Sequence, residues 1–219
     1  MNDFMTAQME ATMSTIPLNP KDTAVLFVET QDAWLPMSRT VESARLRAAW
    51  IWLVKLARLF ELPIVLSTAS LEGPTARVTP ELEKAIGKLD HLMAGRPTTN
   101  AFTHGPTAKE IAGLQRKTLL VAGLLTEMAV QHSALSGVEH GYDVQVVVDA
   151  CGGLSARTED AAIRRLIQAG ATVTSCASVA GQLMGDLSQG PRGMEVLKIM
   201  FEIAGSQPVA VTGESPGRA

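Results

Sequence analysis

Residues Lys117 to Cys151 read KTLLVAGLLTEMAVQHSALSGVEHGYDVQVVVDAC, and this stretch decides the fold class. An apolar run from Leu119 to Ala122 stops at Gly123, the chain turns through Leu124, Leu125 and Thr126, and helical spacing continues to Gly141. A β-branched run, Val144 to Val148, follows and ends at Asp149. Strand, tight turn, helix and strand make one βαβ unit, and both strands are too continuously apolar for a sheet with a wet face. A parallel sheet covered by helices on both sides is therefore expected.

The turn of this unit is the place to look for chemistry, because open α/β sheets bind ligands beyond the carboxyl ends of their strands. Thr126 is expected to cap the helix, which makes Glu127, Met128 and Ala129 its first turn, a place that favours an anion and would activate a thiol. Position 129 carries an alanine instead.

Toward the N-terminus, Thr23 to Glu29 (TAVLFVE) reads as a buried first strand with Glu29 at its carboxyl end. Val41 to Phe60 repeats apolar residues at helical spacing, with Trp50 and Trp52 read as packing residues. Ile64 to Ser67 is a second strand whose polar end, Ser67 to Ser70, shares the rim with Glu29. Gly73-Pro74 marks a loop, Pro80 opens a short helix to Ile86, and His91 to Ala94 is a short strand leading into a polar loop that carries Arg96. A helix from Thr107 to Gln115 returns the chain to the central unit.

Beyond Cys151, Gly152-Gly153 allows a close turn, Ser155 or Thr158 caps a helix running to Gly170, and Thr172 to Thr174 reads as a sixth strand. Helices over Ser178 to Leu187 and Met194 to Ala204 close the reading. Residues 1–20 read as an N-terminal arm, 21–190 as one domain, and 191–219 as an extension making oligomer contacts.

Composition excludes several function classes. With 219 residues, 46% of them apolar, the chain fits one α/β domain. A net charge of −3 and no basic cluster interleaved with aromatics argue against nucleic acid as a partner. No signal peptide and no long apolar span are read, so no membrane is expected. Cys151 and Cys176 suit a reduced, cytoplasmic protein and lack zinc-like spacing. Neither a metal nor a cofactor is expected.

Four segments carry a family resemblance: VLFVETQDAWL (25–35), RPTTNAF (96–102), GLLTEMAVQHSALSGVEHGYDVQVVVDAC (123–151) and RLIQAGATVTSCASVAGQLMGDL (165–187). Together they make the chain similar to the isochorismatase-like hydrolases, or cysteine hydrolases, and most similar to their YcaC-like branch. The resemblance implies a three-layer α-β-α sandwich with an open parallel sheet of about six strands. It also implies a homo-oligomer, such as a ring-shaped octamer, and a small-molecule ligand or substrate.

The resemblance further implies a triad in which a cysteine attacks a carbonyl, an aspartate moves its proton and a basic residue holds the pair. Matched position by position, the aspartate falls on Glu29, the basic residue on Arg96 and the cysteine on Ala129. A non-proline cis peptide falls at Leu124-Leu125, where neighbouring amides, with that of Ala129, would form an oxyanion hole. Gln31, Trp34, Asn100, Phe102 and Thr126 are the expected substrate-binding residues, and loops at Trp34, Leu71-Glu72 and Asn100 to Phe102 the expected sources of specificity.

A methyl at position 129 cannot attack a carbonyl, so the covalent thioester route is not expected. Some family members cleave a vinyl ether, as in isochorismate, by acid catalysis that needs a carboxylic acid and no thiol. Glu29 is the candidate acid if burial raises it more than Arg96 lowers it. The alternative is a catalytically silent homologue that binds a small molecule or serves assembly, with Glu29 and Arg96 closed into a salt bridge. Among other groups, Ser133 is read as bonded within its own helix, Cys151 as near the rim, Cys176 as core, and His104 and His132 as surface histidines.

Overall fold

The computed structural model describes residues 18–73, 77–88, 91–185 and 191–205. The arm expected over residues 1–17, part of the Gly73-Pro74 loop, the end of the helix expected to reach Leu187 and the tail after Ser206 lie outside the described residues.

Six parallel strands form one sheet in the order β3-β2-β1-β4-β5-β6. They are β1 (Thr23–Val28), β2 (Ile64–Ala69), β3 (Leu92–Arg96), β4 (Thr118–Leu124), β5 (Asp143–Gly152) and β6 (Thr172–Thr174). The described helices are α1 (Ser43–Leu59), α2 (Pro80–Ile86), α3 (Gly105–Gly113), α4 (Gln131–Glu139), α5 (Ala156–Gln168), α6 (Cys176–Met184) and α7 (Pro191–Ala204).

Alternate residues of the strands feed two separate cores, as a sheet covered on both faces requires. Val25, Phe27, Leu66, Leu120 and Val147 pack with α1, α2, α6 and α7 on one face. Ala24, Leu26, Val28, Val121 and Val146 pack with α3, α4 and α5 on the other. The result is a three-layer α-β-α sandwich. Trp50 lies fully inside the first core and satisfies its indole N–H on the Ala150 carbonyl at 2.9 Å.

β1 pairs in register with both β2 and β4, so the strand order reverses there and a crevice opens between their carboxyl ends. Close approach of β1 and β4 depends on Gly123, whose φ is +133° and whose added Cβ would sit 1.8 Å from the Val28 carbonyl oxygen.

Two expectations need correction. β5 does not stop at Val148 but runs to Gly152, with an irregularity opposite Val121 and Gly123 of β4. Asp149 is tolerated inside the strand because its carboxylate accepts the Cys176 backbone N–H at 2.9 Å and so holds the start of α6. Gly152 and Gly153 serve close packing rather than a turn: a Cβ would lie 2.4 Å from Ser38 Oγ at the first and 2.8 Å from Glu127 Oε2 at the second. α7 seats Val196 and Ile199 in its own chain's core, Lys55 pairs with Glu202 at 2.5 Å, and Met194 on the same helix is exposed.

Candidate functional site

Three neighbouring strands each end in one polar side chain: Glu29 after β1, Ser67 in β2 and Arg96 at the end of β3. Glu29 adopts φ +52°, in the left-handed region that non-glycine residues seldom visit, so the chain leaves the sheet sharply there. Its backbone N–H still donates to the Ser67 carbonyl at 3.0 Å. The Arg96 Nη2 donates to Glu29 Oε1, and Arg96 Nε donates to Ser67 Oγ at 3.0 Å. Glu29 Oε2 accepts from the Trp34 indole and from the Ala69 amide, both at 2.9 Å. Each carboxylate oxygen is therefore engaged.

Glu29, Trp34 and Arg96 form the polar floor of a cavity of about 270 Å³, with Ser67 outside its lining. Its walls are otherwise largely apolar, with Leu71, Leu124, Leu125 and Met128 prominent and Ala129 beside the floor. Arg96 Nη1 is buried and has no acceptor among the described residues. A ligand oxygen would complete it, since a buried guanidinium N–H without a partner is costly. The peptide Leu124-Leu125 is cis.

Burial raises the Glu29 carboxyl above its ordinary range, and the Arg96 charge, the Ala69 amide and the Trp34 indole oppose that rise without cancelling it. Burial likewise lowers the Arg96 guanidinium, against the pull of Glu29. With three N–H donors aimed at it, the carboxyl is built to accept hydrogen bonds.

Residues 23–178 match the family model described as Isochorismatase domain. The chain belongs to the isochorismatase family. It is 33% identical to the probable hydrolase YcaC of Escherichia coli over 83% of this chain and 87% of that one. The structure of YcaC from Pseudomonas aeruginosa with hexane-2,5-diol and covalent acrylamide superposes with a TM-score of 0.80 at 30% identity, covering 86% of this chain and 92% of that one. Escherichia coli YcaC, an octameric hydrolase of unknown specificity, gives 0.79 at 31% identity with the same coverage.

Glu29, Arg96, Ala129, Trp34, Leu124 and Leu125 are brought together around this cavity, but four expected contact residues do not line it. Gln31 lies behind Trp34: its Oε1 accepts the Trp34 indole at 3.2 Å and the Ala69 amide at 3.1 Å, so it shares both donors with Glu29. Asn100 caps the turn Ala101–Thr103 through the Phe102 amide and donates to Ser136 Oγ at 2.8 Å. Phe102 packs on Tyr142 and His140. Thr126 is not the helix cap; it sits inside a π turn, Thr126–Val130, and donates to Glu159 Oε1 at 2.7 Å. Pro97, Thr98, Thr99 and Met128 line the cavity in their place. The adjacency of the first three to Arg96 was the available signal.

The hydroxyls lining the cavity are those of Ser70, Thr98 and Thr99; the two cysteines and Ser133 do not line it. Cys151 is not at the rim but fully buried in the second core beside β4, and Cys176 is fully buried in the first; burial raises both thiols far above their ordinary value. Ser133 is buried and accepts the Ala101 amide at 3.0 Å, tying α4 to the loop after Arg96 rather than to its own helix. His132 and His104 bond Thr99 at 2.9 Å and Thr107 at 2.8 Å. Among the described residues, no group of three or more His, Cys, Asp or Glu side chains could hold a metal ion, and no helix is long and apolar enough to cross a membrane.

Proposed function

We propose that this isochorismatase-family protein binds a small, mostly apolar molecule in the cavity over Glu29 and Arg96 and forms no thioester with it. One observation carries the reading: the wall position beside the acid–cation pair bears the Ala129 methyl, and both thiols of the chain are buried outside the cavity. Leu71, Leu125 and Met128 supply apolar contact, and Arg96 Nη1 supplies one fixed donor for a ligand oxygen. Leu124, Leu125 and Ala129 frame the position where the family resemblance puts an oxyanion hole. Gln31, Asn100 and Thr126 serve as supports of the wall, and Phe102 as packing.

A second reading has its own support. Burial holds the Glu29 carboxyl above its ordinary range, which favours proton donation to a substrate oxygen such as that of a vinyl ether. Against it, both Glu29 oxygens already accept N–H donors, an arrangement that suits the carboxylate.

The octameric Escherichia coli relative supports a homo-oligomer for this chain, and two free, buried cysteines support a reducing, cytoplasmic setting.

The deciding experiment assays the purified protein against isochorismate and a panel of primary amides and nitriles, beside Ala129→Cys, Ala129→Cys/Glu29→Asp and Glu29→Gln. No turnover by the parent, with amide hydrolysis gained only in the cysteine variants, supports the binding reading. Parent turnover lost in Glu29→Gln supports acid catalysis. An acyl-enzyme trapped on the parent chain overturns both.

A further inference from the structure

A second cleft, of about 330 Å³, lies at the opposite end of the sheet, where the chain enters its strands. Arg58 and Glu61 near the end of α1, Pro63 and Ile64 at the start of β2, Lys88 after α2, His91 before β3 and Arg116 before β4 line it. Two arginines, Arg58 and Arg116, thus stand with one acid, Glu61, among the described lining residues, in a protein whose net charge is −3. His91 pairs with Glu110.

The two arginines are held in place by backbone rather than by carboxylates. Arg58 Nη2 donates to the Ile86 carbonyl, and Arg116 Nη1 donates to the Lys21 carbonyl. Each bond fixes a guanidinium without neutralising it. Arg116 Nε is buried and has no acceptor among the described residues. Among the described residues, the buried side-chain N–H groups left without an acceptor belong to two arginines: Arg96 in the cavity already described, and Arg116 here. Native proteins rarely leave such donors unmatched, and an ion is one of the few things that matches a guanidinium edge.

We propose that this cleft binds a small oxyanion of the phosphate type, with Arg116 and Arg58 as its hydrogen-bonding forks. Arginine suits the task because its planar donors meet two anion oxygens at once. The site is independent of the reading given to Glu29, Arg96 and Ala129.

The test is isothermal titration of the full-length protein with inorganic phosphate, and with ribose 5-phosphate as a phosphate monoester, against chloride at matched ionic strength. Saturable binding of phosphate, weakened at least about tenfold in Arg116→Gln and in Arg58→Gln and less in Arg116→Lys, is the expected result. Tighter binding of the monoester identifies a phosphorylated small molecule as the occupant; equal binding identifies the free anion. If Arg116→Gln does not fold, Arg58→Gln and Arg116→Lys carry the comparison. The proposal is overturned if phosphate gives no saturable heat, if the variants bind as the parent does, or if binding is abolished by Arg96→Met and untouched by the cleft substitutions.

Discussion

Arg96 Nη2 donates to Glu29 Oε1 at the floor of the cavity, with the arginine side chain fully buried and the glutamate side chain 7% exposed. A pair this deep gains little net stability, because desolvation of both charges offsets their attraction, yet losing one partner strands the other. Arg96→Met is therefore expected to destabilise the fold by about 3–5 kcal/mol, with Glu29→Gln/Arg96→Met recovering most of that loss. Urea unfolding of the two variants beside the parent measures it. A double variant no more stable than Arg96→Met would refute the stranded-charge account.

The same pair sets a pH dependence. Burial raises the Glu29 carboxyl, so the folded protein keeps that proton to higher pH than the unfolded chain does. Its contribution to stability is complete below the ordinary value of 4.5 and is lost as pH rises through the folded value. Glu29→Gln should remove this slope from the urea midpoint. Trp34→Phe deletes a donor that pulls the carboxyl down and should move the window to higher pH. Identical pH profiles in parent and Glu29→Gln would contradict the direction of the shift.

Thiol chemistry gives a third test. Both native thiols are buried and held protonated, so the folded parent should resist iodoacetamide, while Ala129→Cys should take one adduct per chain at the substituted position. Intact-mass spectrometry over a time course reads the difference. Rapid labelling of the folded parent at Cys151 would show that the core placement is wrong.

Gly123→Ala tests the seam between β1 and β4. A methyl there meets the Val28 carbonyl oxygen at 1.8 Å and demands a backbone angle that alanine resists. A loss above about 4 kcal/mol, or failure to fold, is expected. A melting temperature close to the parent's would mean that the two strands can separate at no cost.

Much of this architecture is legible in the sequence. The apolar runs ending at Val28, Ser67, Ala122 and Val148 marked four strands that feed both cores, since continuous apolar runs have no use in a half-wet sheet. Strand ends were read less well where a buried polar residue has a tertiary partner: Asp149 looked like a terminator and is a cap for α6. Thr126 misled in the same way, because its hydroxyl bonds Glu159, 33 residues away, and not its own turn.

The sequence by itself determined the layered α/β class, the family resemblance, and the absence of sulfur at position 129, because hydrophobic period and residue identity are local properties. Only the tertiary structure decided that Glu29 and Arg96 touch, that Gln31 shares its donors with Glu29, and that Cys151 is sealed in the core. Those facts depend on which strand ends the order β3-β2-β1-β4 sets side by side, and on how far burial outweighs a neighbouring charge.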